Sequence, residues 1–80
     1  MASLNVTPLV VAVDTRPPPI TVTLKSSNAG RLIEFSTDGG IEYFTPVYDN
    51  NTPTMLIVVS NLRLSHIRFT GAGSDDWNIR

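Results

Sequence analysis

Glu34, Asp38 and Glu42 recur at four-residue intervals in "EFSTDGGIEYFTP" (residues 34–46), with Gly39 and Gly40 between the last two. Two carboxylates held a few ångströms apart can act as acid and nucleophile on a glycosidic bond. The same oxygens can contribute to a calcium site. Which chemistry is open depends on how the segment folds. Asp-Gly is a strong hairpin signal because glycine takes the positive φ that tight turns require. A loop centred on Gly39 sets Phe35 opposite Tyr43, Thr37 opposite Ile41, Ser36 opposite Glu42 and Glu34 opposite Phe44. That register keeps an aromatic pair on one face and implies a glycine bulge after a type I turn. Glu34 and Glu42 then become diagonal neighbours on the other face, roughly 7–8 Å apart. Nothing beside them in the sequence sets one carboxyl apart as an acid. The segment therefore reads as a turn with a solvated acidic face, and no catalytic residue is assigned.

The remaining candidates are weaker. His66 is the only histidine and cysteine is absent, which excludes disulfides, thiolate sites and every two-histidine zinc pattern. A Ser/His/Asp arrangement needs an activated serine, and no nucleophile-elbow pattern surrounds Ser60, Ser65 or Ser74. His66 reads as an exposed strand histidine. "GAGSDD" (residues 71–76) lacks the phosphate-loop pattern, and its aspartates would repel phosphate. It reads as a loop turn. Calcium ligation together with "YDNN" (residues 48–51) is the alternative, although neither has the spacing of an EF-hand loop. No cofactor or metal is expected. Trp77 reads as a core residue of the last strand; exposed instead, it would join Tyr43 and Tyr48 in a saccharide-stacking or interface platform.

The elements that position these residues are strands. "PITVTLK" alternates Ile20, Val22 and Leu24 with Thr21, Thr23 and Lys25, the period of a half-buried strand. "RLIEFS", "IEYFT", "LSHIRFT" and "WNIR" follow between turn-forming clusters. "MLIVVS" is an uncharged, β-branched run that needs a central position or a covering chain. The expected fold is all-β: a small antiparallel β-sandwich or barrel of six to seven short strands. Residues 1–15 form an N-terminal strand or extended arm, 16–19 a polyproline spacer, and 20–80 the body. The spacer, Arg16 to Pro19, cannot donate ladder hydrogen bonds and favours an extended conformation. Two arrangements fit it. Residues 4–13 form the first strand of the same sandwich, or the spacer holds them off to complete a neighbour's sheet.

The 80 residues make one domain, which buries roughly two-thirds or less of its unfolded surface. Small domains gain from a staple; without disulfide or metal, a partner subunit is the expected one. The formal charge of −1 provides no excess to attract phosphate, so nucleic acid is not an expected partner. No apolar run approaches the ~20 residues of a membrane span. "MASLNVTPLVVAVDT" has no positive segment of the secretory type, so synthesis in a cytoplasm is expected. Of the six cationic residues, five are arginine, the type enriched at protein interfaces. A partner surface is expected at Leu4, Val6, Leu9, Val11 and Val13 of the arm, with Arg16, Arg31 and Arg68 bonding carboxylates around it.

"VTLKSSNAGRLIEFSTDGGIEYFTPVYD" with the ending "HIRFTGAGSDDWNIR" resembles small structural proteins of tailed bacteriophages: capsid decoration or cement proteins, and tail accessory proteins. The resemblance covers about residues 21–80 and lies in compact β segments and Ser/Thr/Gly turns. It implies a homo-oligomeric virion protein, made in the host cytoplasm, that binds the major capsid or other virion proteins and is not an enzyme. The alternative is a carbohydrate- or host-surface-binding module of a phage tail, using Tyr43, Tyr48 and Trp77.

Overall fold

The computed structural model describes residues 2–80. Within them the chain forms eight strands: β1 (Ala2–Ser3), β2 (Leu9–Ala12), β3 (Ile20–Lys25), β4 (Leu32–Ser36), β5 (Asn50–Thr52), β6 (Met55–Ser60), β7 (His66–Thr70) and β8 (Asp76–Ile79). All pairings are antiparallel. A five-stranded sheet has the order β1-β8-β3-β6-β5 and a three-stranded sheet the order β2-β7-β4. The expected small all-β sandwich is present, with eight strands in place of six or seven. The additions, β1 and β5, are two and three residues long, too short for a period-2 pattern to register.

Alternation explains the layers. Ile20, Val22 and Leu24 of β3 and Leu56 and Val58 of β6 point inward from one sheet. Ile33 and Phe35 of β4 and Ile67 and Phe69 of β7 point inward from the other, and the two apolar faces close on one core. "MLIVVS" occupies an internal position as β6, between β3 and β5.

Residues 2–15 do not stand away from the body as an arm. Leu4 and Val13 are fully buried, and Leu9 and Val11 pack against the core. β2 runs along β7 from Leu9 opposite Phe69 to Ala12 opposite His66. Without it the smaller sheet would keep only two strands and leave the core open. The proline run carries the chain from β2 in one sheet to β3 in the other, starting with a turn in which the Arg16 N–H bonds the Val13 carbonyl at 3.0 Å.

The acidic turn also departs from its expected register. Phe35, not Glu34, faces Phe44, through a reciprocal pair of 2.9 Å backbone bonds. "IEYFT" makes this single bridge instead of a strand. The cause is side-chain capping. The Asp38 carboxylate accepts the Glu42 N–H at 3.0 Å and the Ser36 hydroxyl at 2.8 Å, and the Ser36 oxygen accepts the Gly40 N–H at 3.0 Å. Gly39 and Gly40 both have positive φ, 81° and 87°, so the loop is wider than a one-glycine bulge.

Two outer margins of the sheets are blocked by the chain itself. Beside β4, the Tyr48 hydroxyl accepts the Ile33 N–H at 3.0 Å and donates to the Ile33 carbonyl at 3.1 Å. Phe44 covers the next position of β4. Beyond the end of β5, the Asp49 carboxylate takes the Val59 N–H of β6 at 2.7 Å.

Candidate functional site

The outward face of the three-stranded sheet gathers the most distinctive polar group of the structure. Because Ile67 and Phe69 point inward, Arg68 between them points outward, from the middle strand of the sheet. Glu34 stands directly opposite on β4, and the Arg68 Nε lies 3.0 Å from its Oε1. The Tyr43 ring covers the guanidinium, with 4.0 Å from the Arg68 Cζ to the ring centroid. This cation–π contact follows from the shifted turn register, which puts Tyr43 on the outer face while Phe44 packs edge-on against Phe35 at 6.0 Å. Hydrogen bonding to Glu34 raises the Arg68 pKa further above its already high value, so the cation persists at all working pH values. Val10, opposite Arg68 on β2, and Leu32 at the start of β4 are both exposed and flank the group.

A guanidinium carries five N–H donors, and Glu34 engages Nε here. The arrangement is a cation fixed in direction by a carboxylate on one side and an aromatic ring on the other. Chemically it suits binding a carboxylate or polar surface. Among the described residues, no group of three or more acidic or histidine side chains is placed to hold a metal.

The other sequence candidates fall as follows. Glu34 and Glu42 are not a carboxylate pair: Glu34 belongs to Arg68, and Glu42 lies exposed in the turn, its N–H bonded to Asp38. That N–H first, then the Ser36 hydroxyl, holds the Asp38 carboxyl below the usual carboxylate range. His66 is half-buried rather than exposed, and its ring lies with the Tyr43 hydroxyl over Gly40. The "GAGSDD" segment is a turn closed by Asp75, whose carboxylate takes the Ala72 N–H and whose carbonyl accepts the Leu4 N–H at 2.7 Å. It sits beside β8, with β3 and β6 between it and the β5 segment that was its alternative calcium partner, and Asp49 there is committed to Val59.

Of the expected interface residues, Leu4 and Val13 are enclosed in the core and Leu9 and Val11 face it, so they are not available to a partner. Val6 and Arg16 are exposed in the loops at opposite ends of β2. Arg31 is spent within the chain: its guanidinium donates to the Thr52 carbonyl, to Asn51 Oδ1 at 3.1 Å and to the Asn28 carbonyl at 3.3 Å. Arg68 alone of the three interface arginines joins a composite group. The three aromatics do not form one platform. Tyr48 turns its hydroxyl onto Ile33, Trp77 packs on Phe69 between the sheets with 5.3 Å between ring centroids, and Tyr43 covers Arg68. The exposed residues that sequence reasoning missed are Val10 and Leu32. Their signal was the outward half of the same alternation that placed the core.

Comparison of the chain with protein-family models, curated proteins and solved structures returned no match.

Proposed function

We propose that the chain is a small structural protein of a virion, a capsid decoration or cement protein or a tail accessory, that stabilises an assembly by binding other virion proteins. The observation that carries this reading is the Arg68–Glu34–Tyr43 group, held on an exposed sheet face between Val10 and Leu32. Arginine and tyrosine dominate interface hot spots, where a pre-positioned side chain loses little freedom on meeting its partner. The resemblance of residues 21–80 to phage structural proteins supports the same reading. The partner is the major capsid protein or another virion protein that offers a carboxylate to Arg68.

The test is to purify particles from the phage that encodes the chain, count its copies by mass spectrometry, and repeat with Arg68→Ala and Tyr43→Ala combined. The expected result is a fixed stoichiometry for the native chain and at least about tenfold weaker incorporation of the variant, the loss that removing a hot-spot pair produces. Particles that lack the native chain, or that take up a folded variant equally well, overturn the proposal.

A further inference from the structure

We infer that the outer edge of β2 is an association edge, and that its occupant is β2 of a second copy of this chain. The two three-stranded sheets would join into one six-stranded sheet across a two-fold axis. This rests on the β2 edge and is independent of the virion reading.

The hydrogen-bond phase of β2 decides which groups are free. The Val13 N–H donates to the Ser65 carbonyl at 2.8 Å, one step beyond Ala12 opposite His66 in the β2–β7 register. The Val13 N–H therefore faces β7, which sets the phase of the strand before it. In an antiparallel ladder bonded and non-bonded pairs alternate, so Leu9 and Val11 also turn their N–H and C=O groups toward β7. The N–H and C=O groups of Val10 and Ala12 point the other way. β2 is the end strand of its sheet, and both residues are exposed, Val10 by 49%.

Exposed strand edges template further pairing unless something blocks them. Tyr48 and Phe44 block β4, Asp49 blocks the end of β6, and β1 is only two residues long. β2 has none of these devices. Its "LVVA" contains no charge and no proline, and its pairing with β7 runs without a bulge.

The occupant follows from what the edge offers. Four backbone groups in line require a strand, and an uncharged strand without a pocket selects no particular foreign sequence. A second copy fits it. Antiparallel, with Val10 of one copy opposite Ala12 of the other, all four outward groups of each copy are satisfied and Val11 meets Val11 at the axis. A branched side chain then lies against a small one on the outer face, with no like charges opposed. The formal charge of −1 per chain adds little repulsion. The two-fold arrangement uses the same edge on both copies and so closes, leaving no open template.

The test is sedimentation equilibrium of the full chain across the micromolar range, beside Ala12→Pro and Val10→Lys. Proline at 12 removes an N–H that points away from β7, a position where edge strands accept it. Lysine at 10 places two charges beside the axis. The native chain should have twice the single-chain mass, and both variants the single-chain mass with an unchanged far-ultraviolet spectrum. A native chain of single-chain mass throughout, or a dimer that survives both substitutions, overturns the inference. If Ala12→Pro unfolds, Val10→Lys decides: a folded monomer supports the pairing and a folded dimer refutes it. Each outcome is separate from particle incorporation, which a monomer can still show.

Discussion

Removal of residues 1–15 separates the two sequence-level views of the N-terminus. An arm serving a neighbour would leave a folded body behind. In the structure the deletion takes out β1 and β2, the fully buried Leu4 and Val13 that follow them, and with β2 the partly buried Leu9 and Val11. Burying an aliphatic side chain contributes about 1.5–3 kcal/mol, so the first two account for roughly 3–6 kcal/mol and the second two for about half that again. Further losses come from the β2–β7 ladder and from Ile67 and Phe69, which lose their cover. A domain of this length has a total stability of roughly 4–12 kcal/mol, at 0.05–0.15 kcal/mol per residue. The loss is of the same size as the whole. A chain starting at Arg16 should therefore show no cooperative urea transition and collapsed amide dispersion in NMR spectra. A truncated chain that keeps dispersed spectra and a urea midpoint near that of the full chain would refute the placement of β2 in the chain's own core.

Tyr48→Phe keeps the ring but removes both bonds to Ile33; a loss of about 1–2 kcal/mol should lower the melting temperature by roughly 5–12 °C. Burial pushes the Tyr48 phenol up, and the nearby Glu34 charge adds to this against the Ile33 bond and Arg31. With the folded pKa above the unfolded one, the Tyr48 contribution is complete below about pH 10 and lost as pH rises beyond it, so alkaline melts should show a shallower fall in the phenylalanine variant. For Asp38 the sign reverses: its depressed folded pKa gives a contribution present above about pH 4 and lost as pH falls through the folded value. Asp38→Asn should therefore unfold at lower urea at neutral pH yet lose less on acidification. At Gly71 a Cβ would meet the buried Asp75 carboxylate and come within 3.0 Å of Leu4 Cδ2. Gly71→Ala should cost roughly 1–3 kcal/mol, whereas Gly73→Ala, with nothing within 4 Å, should leave the urea midpoint within about 0.5 kcal/mol of native.

Strands that carry their own pattern were legible in the sequence. β3 and β7 alternate apolar and polar residues, β6 is an uncharged apolar run, and the inward halves of all three match the observed core. What the sequence hid were effects of one side chain on a distant or turned backbone. The one-residue shift of the acidic turn comes from the Asp38 carboxylate and Ser36 hydroxyl wrapping it, and that shift is what delivers Tyr43 to Arg68. The Arg68–Glu34 pair spans 34 residues of chain and depends on β4 pairing with β7, which no local pattern announces. The prolines were legible as a break in the ladder but not as a crossing, since a stiff segment serves equally to separate and to connect. Arg31 and Tyr48, both expected to face a partner, are instead held by backbone groups across the sandwich.

Ala2 pairs with Trp77 and Leu9 with Phe69, while only β5 and β6 are both neighbours in sequence and partners in a sheet. Nearly every ladder thus closes a long loop, which places the chain among slow folders, in the range of milliseconds to seconds rather than microseconds. On a ribosome the first strands have no partner until the last ones emerge. The uncharged "MLIVVS" is spared this wait, because both its ladder partners, β3 and β5, precede it in the chain. The apolar "LVVA" of β2 is the segment left waiting, since its partner in the sheet is β7. Yield at high expression is therefore governed by how fast the C-terminal strands arrive.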